Sequence, residues 1–191
     1  RSRSKAGKAL AAAVAAELPP LKMDKARFRV SIDSDGDRSG PDGRDQVVFE
    51  VATNPGSPFG ALDKIASGGE LSRFGLALKV ALAGEDDGLV LVFDEVDQGV
   101  GGAVADAVGR RLKRLAARGQ TLVVTHSPQV AALADHHWQI VKSEDGKGSV
   151  RTTLVKLDGD ARREEVARML SGADITDAAR AQADALMAVD A

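Results

Sequence analysis

The sequence predicts an α/β fold: a mostly parallel sheet flanked by helices, with an N-terminal β-hairpin and a leading helix. Three observations point there. Two continuous apolar runs, LVLVFDE at 89–95 and TLVVTH at 121–126, read as strands buried on both faces. A helical pattern at about 102–117 separates them, and strand, helix, strand implies parallel pairing with a right-handed crossover. Earlier, RFRVSI (27–32) and QVVFEV (46–51) alternate polar and apolar, as half-buried antiparallel strands do.

The elements follow in order. Residues 1–18 read as a helix, because Leu10, Val14 and Leu18 recur every four residues among small alanines. Pro19 and Pro20 end it, since proline cannot continue the hydrogen-bond ladder. The chain opens in mid-helix at Arg1, which suggests a fragment with sequence missing upstream. Between the first two strands lies SDGDRSGPDGRD, a run of turn formers and charge expected to form a long exposed loop. A second polar turn, TNPGSPFG at 53–60, leads to a helix from Ser67 to about Ala83, with Leu71, Phe74, Leu78 and Leu82 forming its apolar face. After the second apolar run come a short helix at 128–134 and strands at 138–142 and 149–157. Helices at about 160–170 and 176–188 close the chain.

Composition narrows the function. The chain has 191 residues, 28 acidic and 26 basic, for a formal charge of −2, and no cysteine. The length suits one domain or a domain with an appendage. Without cysteine there is no disulfide scaffold, thiolate zinc site or cysteine nucleophile. Near-neutral charge argues against bulk non-specific nucleic-acid binding by this chain alone, and the scarcity of aromatics argues against a base-stacking platform. No stretch approaches the roughly 20 apolar residues of a membrane helix. The alanine-rich N-terminus, interrupted by Glu17, is too weak for a secretory signal.

The residues that bear chemistry gather at strand ends and one helix start. In parallel sheets, reactive groups lie at the carboxyl ends of strands. Asp94 and Glu95 follow four apolar residues, the Walker B pattern, in which the aspartate holds magnesium and the glutamate polarises an attacking water. The same pair also suits a helix cap or a surface pair. Ser67-Gly68-Gly69-Glu70 opens a helix, so unobstructed backbone N–H groups at the positive end of its dipole form an anion site. A plain helix start, with Ser67 as N-cap and Glu70 as its capping-box partner, reads the same residues equally well. The run DQGVGG, from Asp97, is no dinucleotide fingerprint, because Val104 stands where the third glycine belongs. His126 ends the second apolar run, where a lone histidine is more often structural.

Taken in series, these four features resemble the signature, Walker B, D-loop and switch-histidine motifs of ABC-type ATPases. The longer strings IASGGELSR, FDEVDQGVGG and VVTHSPQVAALADHHWQIVK resemble the RecN family of SMC-like DNA-repair ATPases, and PPLKMDKARFRV and EEVARMLSG are similar to the same family. The resemblance covers nearly the whole chain. It implies the C-terminal lobe of an ABC-type ATPase head at 21–191, with 1–20 as the end of a coiled-coil helix. It also implies a composite ATP site formed when two heads dimerise. Ser67, Gly68, Gly69 and Glu70 would serve nucleotide binding, Asp94 magnesium, Glu95 the water, Asp97 communication across the dimer and His126 the terminal phosphate. ATP and Mg2+ are the implied cofactors. The implied partners are the N-terminal half carrying the Walker A loop, a second head in a homodimer, and DNA. The implied location is cytoplasmic and nucleoid-associated, with no membrane.

The chain lacks G-x-x-x-x-G-K-[ST]; Gly7-Lys8 is followed by Ala9 and has no glycine at position 2. In the family that loop lies in the N-terminal half, so the ATPase is expected to be incomplete in this chain. A non-catalytic docking module for DNA or repair partners and half of a transporter ATPase are the rival readings. Three other features are set aside. The run from Asp33 to Asp37 opens like a calcium loop but has Arg38 and Arg44 where glycine and glutamate belong. Asp135-His136-His137 lacks the further carboxylates of a metal centre. The basic run Arg110, Arg111, Lys113, Arg114 and Arg118 reads as a solvated helix face before it reads as a DNA contact.

Overall fold

The computed structural model describes residues 2–34, 40–41, 43–64, 68–82, 90–144 and 149–188. Ser67, Ala83, Leu89 and the centre of the calcium-like run, Asp35 to Arg38, lie outside them. The chain divides into two compact units, Arg1–Val124 and Thr125–Ala191.

The first unit begins with α1 (Ser2–Glu17), ended by the prolines, which form a single 3-10 turn over Pro19–Leu21. Val14 and Leu18 are buried, as the fourfold spacing requires. Strands β1 (Arg27–Ser34) and β2 (Asp45–Ala52) pair antiparallel, and the short β3 (Gly60–Ala61) adds to β2. Both long strands run a residue or two beyond the alternating pattern, because the backbone ladder continues into polar residues. Helix α1 lies close on β1: a Cβ on Gly7 would sit 3.1 Å from Val30 Cβ, so only glycine fits there without a shift. The rings of Phe28 and Phe49 tilt against each other at 5.7 Å across the β1–β2 pair. Arg29 lies over the Phe59 ring at 4.1 Å and bonds Glu50 at 2.7 Å.

Helix α2 (Gly68–Leu82) begins where the Gly-Gly step predicts. Its buried arc differs from the expected stripe. Phe74 is buried, but Gly69, Leu76 and Ala77 share the arc, while Leu71 and Leu82 are 37% and 56% exposed. The helix packs against α1 and α3 (Gly102–Ala116), and those neighbours choose the face. Helix α3 buries Ala105, Val108, Leu112 and Leu115. Its basic run is largely tied down: Arg111 and Arg114 bond Glu17 of α1 at 2.8 and 2.9 Å, and Arg110 bonds Asp106.

Strands β4 (Val90–Asp94) and β5 (Gln120–Val124) are parallel, in register from Val90↔Gln120 to Asp94↔Val124. The apolar runs are not buried on both faces, which corrects the sequence expectation. Val90, Val92, Leu122 and Val124 lie on one exposed face, Val92 at 66%. Among the described residues β4 and β5 bond only each other, and that face of the pair is left exposed.

The second unit holds α4 (Pro128–Ala132), the antiparallel pair β6 (His137–Glu144) and β7 (Val150–Leu157), α5 (Gly159–Ser171) and α6 (Asp177–Met187). Among the described residues, parallel pairing is thus confined to β4 and β5. The core of this unit joins Ala132, Val166, Ala167, Ala179 and Ala183, flanked by Leu170, Ile175, Leu186 and Met187. Such small side chains let the helices approach closely. Arg163 grips Asp184, and Arg180 grips Glu164, each through two bonds. Arg162 donates to the carbonyls of Ala132 and Ala134, capping the end of α4.

His137 explains part of the Asp-His-His triplet as packing. Asp135 and His136 are exposed, whereas His137 is half-buried. Burial, and then the charge of Arg162, hold its pKa below the ordinary 6.5, against a smaller opposing pull from Glu165. The folded protein therefore binds fewer protons than the unfolded chain between the depressed pKa and 6.5. This stabilisation is complete above about 6.5 and declines as the pH falls through that window. The melting temperature is expected to fall on acidification below pH ~6.5, with a shallower slope in His137→Gln. Equal slopes in the two proteins would remove His137 as the cause.

Candidate active site

Of the expected site residues in the first unit, Asp94, Glu95 and Asp97 lie at or just beyond the carboxyl end of β4, and Gly69 of α2 approaches the same turn. Asp94 is the last residue of the strand and is exposed. The chain then turns sharply, with Gln98 N–H donating to the Glu95 carbonyl at 3.0 Å. Glu95 has φ of 53°, a left-handed conformation that costs a non-glycine residue about 1–2 kcal/mol. The turn persists because its centre is anchored, with Val96 and Asp97 buried and Glu95, Gln98 and Gly99 exposed. Glu95 is thus exposed at the turn that directly follows Asp94.

Asp97 is fully buried. Its backbone carbonyl accepts from Val100 N–H at 3.4 Å, and the exposed surface of the turn belongs to Gln98 and Gly99.

Helix α2 brings its N-terminus to the same turn. A Cβ on Gly69 would lie 3.0 Å from the Gln98 carbonyl oxygen, so the bare glycine is what lets the turn approach. Gly68 is exposed, and among the described residues other than its chain neighbours nothing lies within 4 Å of where its Cβ would be. Glu70 is partly buried in the first turn of the helix. Ser67, the expected N-cap, lies outside the described residues.

His126 belongs to the second unit. It is exposed, two residues beyond the end of β5 rather than on the strand, and just before Ser127 and the Pro128 that starts α4. At the strand ends themselves, Asp94 is in register with Val124.

Among the described residues no three His, Asp or Glu side chains cluster as a metal cage. Magnesium is usually bound through one or two carboxylates, with substrate phosphates and water completing its shell. Asp94 is an exposed donor of this kind. Among the described residues no helix is long and apolar enough to cross a membrane.

Relatives of known sequence match along most of the chain. It is 47% identical over 171 residues to the DNA repair protein RecN of Rickettsia conorii, covering 90% of this chain and 31% of that protein. It is 44% identical to RecN of Streptomyces coelicolor and 41% identical to RecN of Vibrio cholerae, covering 97% and 98% of this chain. The chain belongs to the RecN family. It spans about a third of the length of the curated relatives it matches, 34% in the last two cases. No family model matches. Among solved structures, the Smc head domain with a coiled coil and joint derived from Pyrococcus yayanosii superposes with a TM-score of 0.56, at 19% identity, over 83% of this chain and 28% of that one. A chain solved in work on ATP-driven dimerization and DNA-stimulated activation of SMC ATPases has a TM-score of 0.52, at 17% identity, and matches 89% of this chain and 96% of its own. The fold of this RecN-family chain is that of an SMC head.

One residue of the site was not singled out from the sequence. Arg73 of α2 donates through Nη1 to the Gln98 carbonyl at 3.3 Å. The available signal was its spacing: Arg73 stands four residues after Gly69, on the same face of the helix.

Proposed function

We propose that this chain is the C-terminal lobe, residues 21–191, of the ATP-hydrolysing head of a DNA double-strand-break repair and recombination protein, with residues 1–20 ending a coiled-coil helix. The observation that carries the proposal is the junction of the Gly68-Gly69 helix start with the Asp94–Gln98 turn. Two motifs separated by 25 residues meet at one edge, so the helix start that reaches a second head's nucleotide packs on the turn that follows Asp94 and Glu95, an arrangement a plain helix start has no need of. The exposed apolar face of Val90, Val92, Leu122 and Val124 fits a lobe whose sheet is completed by the N-terminal half carrying the Walker A loop.

In the composite site, the N–H groups of Ser67, Gly68 and Gly69 bind the terminal phosphate of ATP held by a second head. Glu70, one turn into α2, supports that helix start. Asp94 holds Mg2+, which neutralises phosphate charge when bound. On the nucleotide held by this head's own N-terminal half, Glu95 takes a proton from the attacking water and His126 contacts the terminal phosphate; the nucleotide bound by Ser67, Gly68 and Gly69 is served by the second head's equivalents. Asp97 acts across the dimer through the turn it anchors. Because the phosphate contacts come from both heads, ATP stabilises the dimer and hydrolysis releases it. That cycle moves the coiled coil relative to DNA, in the cytoplasm at the nucleoid.

The test is ATP turnover by this chain mixed with the half bearing the phosphate loop, beside each piece alone. Turnover is expected only in the mixture. A mixture that assembles and binds ATP yet never turns it over, with DNA present, would favour a docking module instead.

A further inference from the structure

We infer that Arg73 is a positioning residue for hydrolysis, the clamp that makes the phosphate-binding helix start and the Glu95-bearing turn move as one body. This inference rests on the reading of the site given above. Arg73 lies one helical turn beyond Gly69, and both meet the same atom, the Gln98 carbonyl oxygen. Arg73 Nη1 donates to that oxygen at 3.3 Å, and a Cβ on Gly69 would sit 3.0 Å from it. The space left by the absent side chain is therefore occupied by the turn, and the guanidinium fixes the turn there. A Cβ on Gly69 would also lie 3.3 Å from Arg73 Nη1, so glycine, arginine and carbonyl form one packed contact.

The guanidinium is half-buried, and its Nε is buried without a partner among the described residues. Burial lowers its pKa, while Glu70, three residues earlier on the same helix, opposes the shift. A charge kept in so poor a solvent environment is costly unless it does something a neutral side chain cannot. Here it holds a carbonyl three residues beyond Glu95. The same residue closes the turn through its own N–H, which donates to the Glu95 carbonyl at 3.0 Å. Gln98 is thus held at both ends of its peptide groups, by Glu95 on one side and by Arg73 on the other. Releasing the Arg73 side frees the turn that keeps Glu95 at its left-handed φ. Glu95 then spends less time aligned with the water that attacks its own head's nucleotide, and the turn no longer follows the helix start that reaches the nucleotide of the second head. A misplacement of about 1 Å at a reacting centre is enough to cost rate on the order of a hundredfold.

The experiment uses the full-length protein with the phosphate-loop half in place, and compares wild type, Arg73→Ala, Arg73→Lys and Glu95→Gln. Nucleotide affinity, steady-state turnover, melting temperature and amide hydrogen exchange at Asp97–Val100 are measured on each. Arg73→Ala is expected to lower kcat on the order of tenfold, leave nucleotide affinity within about twofold, and speed exchange at 97–100 while the core of α2 stays protected. Arg73→Lys keeps a charged donor and should recover much of the rate. Unchanged turnover and exchange in Arg73→Ala would overturn the assignment. So would loss of folding or of nucleotide binding in both Arg73 variants, which would make Arg73 a packing residue. Glu95→Gln separates the two levels of inference. If it turns over ATP like wild type, the reading of the site fails, whatever Arg73 does. If it is inactive while Arg73→Ala is normal, only the clamp fails.

Discussion

Glu95→Gln in the assembled head is expected to bind ATP normally, reduce turnover by about a hundredfold or more, and accumulate ATP-bound dimers. General-base catalysis contributes roughly 10²- to 10⁴-fold, and glutamine removes the base without removing the shape. The substitution keeps the side-chain length and an oxygen to orient water, so contacts made before proton transfer survive. Backbone strain does not confound it, because glutamine and glutamate bear the left-handed φ of 53° at similar cost. Asparagine tolerates that conformation better. Glu95→Asn should therefore be no less stable than wild type and equally inactive, which separates strain at this position from chemistry. Turnover, nucleotide binding and dimer mass measured on the same samples decide the matter. Wild-type turnover in Glu95→Gln would dismiss Glu95 as the base and leave Asp94 and Glu95 as a strand-end pair without catalytic work.

Most elements were legible in the sequence, because what creates them is local. The proline pair ends α1 wherever the chain goes afterwards, and alternation in β1 and β2 records which residues face the α1 side. The Gly-Gly step marks the start of α2 for a backbone reason independent of neighbours. The faces were less legible. Leu71, Phe74, Leu78 and Leu82 form a plausible stripe, yet α1 and α3 draw in Gly69, Leu76 and Ala77 instead. In a helix with small and large apolar residues on several sides, the partner decides which arc is buried. The apolar runs of β4 and β5 are suited to burial on both faces, but that needs something laid on each face. Among the described residues the side holding Val92 and Val124 is left exposed.

The site divides the same way. Asp94, Glu95 and the glycines were legible because their chemistry follows from residue type and place on an element. The burial of Asp97 was not, since a polar residue in a glycine-rich turn looks exposed until its packing is known. Arg73 was hidden for a related reason: its partner is a backbone carbonyl 25 residues away, which has no sequence signature. The basic run on α3 also shows the limit of local reading. Arg110, Arg114 and Arg118 are exposed, as a solvated helix face requires, but the run also makes a tertiary contact. Arg111 and Arg114 converge on Glu17, almost a hundred positions upstream, and tie α3 to α1.

Ser67→Arg is expected to leave nucleotide binding by each head intact, abolish ATP-dependent dimerisation and reduce turnover by about a hundredfold or more. The argument starts from the helix start it precedes. Among the described residues nothing beyond its chain neighbours crowds Gly68, Gly69 is spent on the turn, and residue 67 directly precedes these N-terminal amides in the sequence. A phosphate arriving there belongs to a nucleotide already held elsewhere, since this chain has no Walker A sequence. Arginine would not repel that phosphate; its charge is attractive. It blocks by size, filling the gap through which the amides must reach the anion, so the second head cannot close. This makes the result diagnostic. If the helix start served only as an N-cap, Ser67→Arg would cost about 1 kcal/mol of stability and spare dimerisation. If Ser67 bound nucleotide within its own head, affinity would fall before any dimer formed. Loss of dimerisation with retained binding is the outcome that a site shared between two heads requires.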